Sequence, residues 1–219
     1  MNAHYDQSYA RAYETFCNIE NGQVHITGTM SVSAPTVQRI LNVKAEWIIT
    51  PDGAIRVKMN VKRDMEFPML PRFGIRLFLD KEFDNAEYYG IGPDESYVDK
   101  KRSGHHGRHC AEIHEMHEDY LRPQENGSHW NCSGLALTTS DHRSLLISGT
   151  QNFSFNASRY TQEELTTKAH SFELEKSPYT VLCLDGYMSG CGSNSCGPAL
   201  AKKYRVDQDK LTFTFTLNF

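Results

Sequence analysis

The sequence predicts an all-β protein, a large antiparallel β-sandwich with one short helix. Three observations lead there. Apolar and polar residues alternate with a period of two along most of the chain. Turn signals separate these runs at short intervals, and only one segment shows a helix-start signature. A chain of 219 residues is long for one domain but ordinary for a single large β-sandwich. No repeat, low-complexity linker or break in composition divides it, so residues 1–219 are expected to form one domain.

The elements follow in order. Val24-His-Ile-Thr-Gly-Thr-Met-Ser-Val32 alternates, and residues 40–49 form a second run centred on Trp47. Pro51-Asp-Gly53 marks a turn, after which residues 54–63 alternate strictly between apolar and polar. That pattern is a hairpin with one face on a core and one wet. Residues 72–79 read as another strand, opened by the extended Phe67-Pro-Met-Leu-Pro71. Further strands are expected at 132–139, 144–149, 153–156 and 179–184. The cleanest alternation is Leu211-Thr-Phe-Thr-Phe-Thr-Leu217. Thr161-Gln-Glu-Glu164 is a capping box that opens a short helix reaching Ala169. Trp47, Phe73, Phe78, Phe153, Phe155, Phe213 and Phe215 lie at strand spacing and are expected in the core.

Composition excludes several functions. Apolar residues make up 39% of the chain and aromatics 11%, too many for a disordered segment. A net charge of −4 with both signs interspersed argues against a nucleic-acid partner. The basic stretch from Lys100 to Arg108 is short, mixed with histidine, and reads as a solvated loop. No apolar run is long enough to span a membrane, and the N-terminus has neither a basic cluster nor an apolar signal core. No membrane partner and a cytoplasmic location are therefore expected. The six cysteines show no Cys-x-x-Cys spacing, so free thiols are the expectation, although Cys191 and Cys196 could approach each other across a glycine loop. Without secretion, the sequons at Asn126, Asn131 and Asn156 have no chemical meaning.

The stretch richest in chemistry is Leu184-Asp-Gly-Tyr-Met-Ser-Gly-Cys-Gly-Ser-Asn-Ser-Cys-Gly-Pro198, with four glycines and three hydroxyls. Such glycine density permits close backbone approach, as a ligand-contacting rim needs, and it equally suits a long packed turn. The histidines His105, His106, His109, His114 and His117, with Cys110, fall within thirteen residues. Zinc accepts such ligands, but no quartet has a standard spacing, and the glycines make the first half a loop. His117 is expected to be buried and hydrogen-bonded. Carboxylate candidates are Asp94-Glu95, Glu118-Asp119, Glu125 and Glu163-Glu164. The helix start explains the last pair, and a Pro-Gln-Glu-Asn-Gly turn explains Glu125 and Asn126, whose side chains would satisfy backbone amides. Trp130 could stack on a sugar or cover an interface. Tyr88, Tyr89 and Tyr97 flank a tight Gly-Ile-Gly-Pro turn capped by Asp94.

The same residues carry a resemblance. Gly190-Cys-Gly-Ser-Asn-Ser-Cys-Gly-Pro198 after Asp185-Gly-Tyr187 resembles the C-terminal region of family 2 β-galactosidases. Tyr89-Gly-Ile-Gly-Pro-Asp-Glu-Ser-Tyr97, Tyr120-Leu-Arg-Pro-Gln-Glu-Asn-Gly127 and Phe153-Ser-Phe-Asn-Ala-Ser-Arg-Tyr-Thr-Gln-Glu-Glu-Leu165 agree with it in the same order. The resemblance implies a super-sandwich similar to galactose mutarotases. It also implies a fragment or isolated small subunit, because the Arg-Ala-Pro-Thr segment that usually opens the domain is missing. No catalytic residue is expected in this chain. The two glutamates that hydrolyse lactose and other β-D-galactosides would lie in a catalytic barrel domain or large subunit, the implied partner. Ser193, Asn194, Ser195 and Cys196 would border the galactoside pocket, Cys196 standing where some members carry tryptophan. No cofactor is expected in this chain, with magnesium and sodium possible in the full enzyme. Two alternatives remain at this point. A free-standing carbohydrate-binding module would bind galactose saturably. A mutarotase-like epimerase, using His117 or His129 with Glu125, would speed the mutarotation of fresh α-galactose.

Overall fold

The structure, a computed structural model, describes residues 3–192 and 197–219. Eleven strands dominate it: β1 Tyr9–Glu20, β2 Gln23–Ser33, β3 Leu41–Ile49, β4 Ile55–Arg63, β5 Arg72–Asp80, β6 Asn85–Gly92, β7 His105–Glu112, β8 Ser128–Thr138, β9 Ser144–Ser158, β10 Tyr179–Met188 and β11 Lys210–Asn218. All pairings are antiparallel, and hydrogen bonding runs β1-β2-β3-β4-β11-β9-β8-β6-β7, with β5 and β10 branching from β9. The all-β sandwich expected from the alternation is present.

The two layers meet in β9. Its first half pairs β11 and the second half of β8, whereas residues 154–158 pair β10. One strand thus passes from the broad sheet into the smaller β5–β10 layer. Phe73 of β5 packs on Phe213 of β11 with ring centroids 5.9 Å apart, and Phe213 meets Phe215 at 5.0 Å, so the smaller layer covers β11. The core holds Phe153, Phe155, Phe213, Phe215, Val57, Leu182 and Leu184. Residues 153–158 and 180–185 are buried on both faces, the layer being covered on one side by the sheet and on the other by loops. This is why Thr180-Val-Leu-Cys-Leu184 reads as a continuous apolar run rather than an alternation.

Among the described residues the one α-helix is α1, Gln162–Thr167. The Glu164 amide donates to the Thr161 hydroxyl at 3.1 Å, as the capping signature requires, but the helix stops two residues short of Ala169. Lys168 is already extended, and the Ala169 and His170 amides donate to Glu173 instead, which starts a new turn. No helix among the described residues is long and apolar enough to cross a membrane.

Several sequence expectations need correction. Residues 144–149 and 153–156 belong to one strand, β6 runs into the expected Gly-Ile-Gly-Pro turn, β7 lies where a loop was expected, and β1 was not anticipated. Phe78 is 49% exposed because it has the opposite parity to Phe73 on β5. It packs instead against Tyr179 and the Arg76 guanidinium on the outer face. Arg63 falls at the core-facing parity of β4, after Val57, Met59 and Val61, and is only 4% exposed. Its guanidinium donates to the carbonyls of Phe67 (2.9 Å), Pro68 (2.7 Å), Asp207 (2.8 Å) and Gln208 (3.2 Å), tying two crossing segments together.

Candidate functional site

Residues 93–104 and 117–127 and the two described segments 189–192 and 197–205 converge at one end of the β5–β10 layer. A cavity of about 950 Å³ opens beside the 124–125 and 189–192 segments, lined by Arg63, Met69, Arg72, Glu125, Gly190–Gly192 and Leu200, among others. Strand β10 delivers the glycine-rich segment to this rim. Ser189, at its exit, donates to the Leu70 carbonyl (2.6 Å) and accepts from the Val206 amide (2.9 Å), while the Gly190 amide donates to Tyr204 (2.9 Å). The next two amides are held by Asp99: Cys191 N–H donates to Oδ1 at 3.1 Å and Gly192 N–H to Oδ2 at 2.7 Å. A side chain at Gly190 would collide with the Asp99 carboxylate, so glycine is required for that close approach. On the far side, Gly197, Pro198 and Ala199 are exposed and Leu200 half-buried. Ser193, Asn194, Ser195 and Cys196, the residues expected to contact sugar, lie outside the described residues. A Cys191–Cys196 bridge falls there too.

A second carboxylate holds the neighbouring loops. Glu95 is 5% exposed and accepts from Lys100, from the Tyr120 hydroxyl and from the Gly127 amide (2.8 Å). Burial works against its charge, but the bonds from Lys100, Tyr120 and Gly127 prevail and hold the carboxyl below its ordinary value. Ser96 rather than Asp94 closes the turn after β6, donating to the Ile91 carbonyl (2.9 Å) and accepting from the Trp130 amide (2.8 Å). Asn126 behaves as its turn predicts: Oδ1 accepts from the Glu118 amide (3.1 Å) and Nδ2 donates to Gln124 (2.9 Å).

Glu125 does not satisfy a backbone amide. Its Oε2 accepts from Arg72 Nη1 at 2.9 Å, and Arg72 Nε donates to Asp185 Oδ1 at 3.0 Å. Arg72 thus stands between two acids. Burial pushes the Glu125 carboxyl up despite Arg72, while Asp185 and Glu125 outweigh burial to keep the guanidinium well above its ordinary value. A retaining glycosidase needs two carboxyls facing across an open gap of roughly 5–5.5 Å. Here the gap is filled by a guanidinium, so Glu125 and Asp185 form a structural cluster. Of the other candidates, Glu163 is engaged with Arg76 (2.9 Å), Asp119 with His117 (3.5 Å) and Glu164 with the Glu175 amide (2.8 Å).

The histidines are dispersed. His105, His106 and His109 lie on β7, an edge strand rather than a loop, and the His105 and His109 rings meet at 4.9 Å. Among the described residues no three histidine, cysteine, aspartate or glutamate side chains converge as a metal site would need. His117 packs at a tilt against Tyr160 (4.8 Å between ring centroids) and is largely buried as expected, yet its Nδ1 has no partner. His129 is 2% exposed, with Nδ1 2.9 Å from the Tyr88 hydroxyl, and burial lowers its pKa to about 4. Glu125 lines two cavities, and neither His117 nor His129 lines them, so the mutarotase pairing is not assembled. Trp130 is covered by the Lys101 ammonium, 3.8 Å from its ring centroid. Sequence reasoning missed Arg72, Asp99 and Arg63. The first has a faint signal, a lone base opening an apolar strand.

Comparison with known proteins follows the same lines. A family model described as the β-galactosidase small chain matches residues 2–217. The chain is 43% identical over its whole length to a β-galactosidase of Actinobacillus pleuropneumoniae, of which it covers 21%. It is 34% identical over 90% of its length to one of Staphylococcus xylosus, covering 20% of that protein. Against one of Lactococcus lactis the identity is 34% over 73% of the chain. The chain therefore spans about a fifth of the length of these curated relatives. With the four ordered motifs and the sandwich fold in agreement, this chain belongs to the β-galactosidase small-chain family.

Proposed function

We propose that this chain is the C-terminal sandwich of a β-galactosidase that hydrolyses terminal β-D-galactosides such as lactose. It serves there as a rim and a brace. The catalytic barrel domain or large subunit supplies the acid/base and nucleophilic glutamates. This chain supplies Ser193, Asn194, Ser195 and Cys196 at the edge of the sugar pocket. Magnesium and sodium, where the enzyme uses them, are held by the partner. A cytoplasmic location belongs to the same reading, supported by the free thiols of Cys17, Cys110, Cys132 and Cys183.

The observation that supports this best is the setting of the glycine-rich segment. Its stem, Gly190–Gly192, is fixed by Asp99 at the mouth of the 950 Å³ cavity, and its return at Gly197–Ala199 is exposed rather than interred. A stem held at its base, with an exposed return at 197–199, supports a contact beyond the chain. Within the family some members place tryptophan where Cys196 stands. An aromatic platform adds roughly 0.5–1.5 kcal/mol over simple burial. Cys196→Trp in the complete enzyme is expected to lower KM for an aryl galactoside about fivefold and to shift the ratio of transfer to hydrolysis. Unchanged values of both would remove Cys196 from the pocket.

A further inference from the structure

The apolar face of the broad sheet continues past the layer that covers it. Cross-strand partners form ladders from the core outward. One runs Phe215, Val57, Trp47, Ile26, Cys17, and the next runs Leu217, Ile55, Ile49, Val24, Ile19. Within each ladder the face is the same and the residues stay apolar. Burial does not persist. Phe215 and Val57 are 1% and 0% exposed, Trp47 and Ile26 are half-buried, and Cys17 is exposed. Leu217 is 2% exposed, and Ile19, at the other end of its ladder, is 74% exposed. All twelve residues of β1 are exposed, on both faces. Strands of a stable sandwich have at least one covered face, so this pattern is a core with part of its second layer absent.

The place of the absent layer is marked. Among the described residues β5 pairs only with β10, leaving its other edge open there, and Phe73 fixes β5 above β11. Between β5 and the adjoining ends of β2 and β3 runs a groove of about 600 Å³, with Val32, Ile40 and Leu41 on one wall, Phe73, Gly74 and Ile75 on the other, and Tyr5 and Ser8 at its margin. A strand added beside β5 would satisfy its free backbone groups and extend the small layer over β3, β2 and β1. We propose that this strand-bearing cover comes from the remaining four fifths of the β-galactosidase, and that β5 and the inner face of β1–β3 are its docking surface. The relatives' length supplies such a segment, and the covered end of each ladder supplies the chemistry it must match, an apolar β surface. This inference rests on the reading that the chain works inside a larger β-galactosidase.

Cys17 provides the test, being an exposed thiol inside one ladder. Its alkylation rate is measured by peptide mapping in the chain alone and in the assembled enzyme, after gel filtration has shown the complex. The rate is expected to fall at least ~100-fold on assembly. A complex in which Cys17 reacts as fast as in the chain alone overturns the docking surface and leaves the larger reading standing. A chain that forms no complex removes both. Protection that rises with the concentration of the chain alone assigns the face to a second copy and overturns the proposed occupant. As a second variant, Ile19→Ser is expected to leave the chain's own Tm within about 1 °C, since the side chain is 74% exposed, yet to weaken assembly about tenfold. Equal assembly of wild type and Ile19→Ser would also count against it.

Discussion

The Asp99 carboxylate accepts the amides of Cys191 and Gly192, more than ninety positions away, where the chain offers few side chains to hold itself. Hydrogen bonds to a charged acceptor contribute about 1.5–3 kcal/mol when the donors are otherwise left dry. Asp99→Ala is thus expected to cost about 2 kcal/mol in urea unfolding, and Asp99→Asn about half of that, because one acceptor oxygen remains. His129 makes a different prediction. Burial depresses its pKa from 6.5 to about 4, so the unfolded chain takes up a proton more readily than the folded one. Its contribution is fully present above pH 6.5 and is lost as pH falls towards 4, on the order of 3 kcal/mol in total. Unfolding free energies at pH 7.5, 5.5 and 4.5 should trace this slope, and His129→Gln should flatten it. His129 was legible only as a candidate mutarotase base, and Asp99 not at all. Asp99 sits in an unremarkable Ser-Tyr-Val-Asp-Lys run, and its partners are backbone groups brought near only by the fold.

At the scale of elements, the alternation of β2 to β5 and β11 placed those strands within a residue or two, since each has one face on the core. Where that asymmetry fails, the reading failed with it. β1 is bare on both faces, and β7 is an exposed edge rich in histidine and glycine, so neither shows a core-facing period. β9 looked like two strands because Gly149-Thr-Gln-Asn152 lies at the point where it changes layer. The glycine-rich segment was legible as a site, whereas the Arg72 cluster was not, because it joins β5, β10 and a loop. Gly74 tests the β5–β10 pairing. A Cβ there would strike the Leu184 carbonyl oxygen, which is backbone and cannot swing aside. Gly74→Ala is expected to cost about 3 kcal/mol and lower Tm by several degrees in a thermal melt, a far larger penalty than an alanine brings on an open strand.

For the whole molecule, the clustered acids Glu95, Glu125 and Asp185 are committed to Lys100 and Arg72, so the chain alone is expected to hydrolyse a chromogenic β-galactoside no faster than buffer does. Activity should appear only with the remainder of the enzyme, and turnover by the chain alone would place a working acid pair within it. The joints also differ in what they depend on. The rim hangs on carboxylates: below pH 4.5, as Glu95 takes up a proton, its grip on the Lys100 and Tyr120 loops slackens. Arg63 fastens the crossing of the 67–68 and 207–208 segments through carbonyl oxygens, which have no proton to gain. Acid should therefore undo this molecule from the Glu95 end inward, leaving the Arg63 knot as the last fastening to give way.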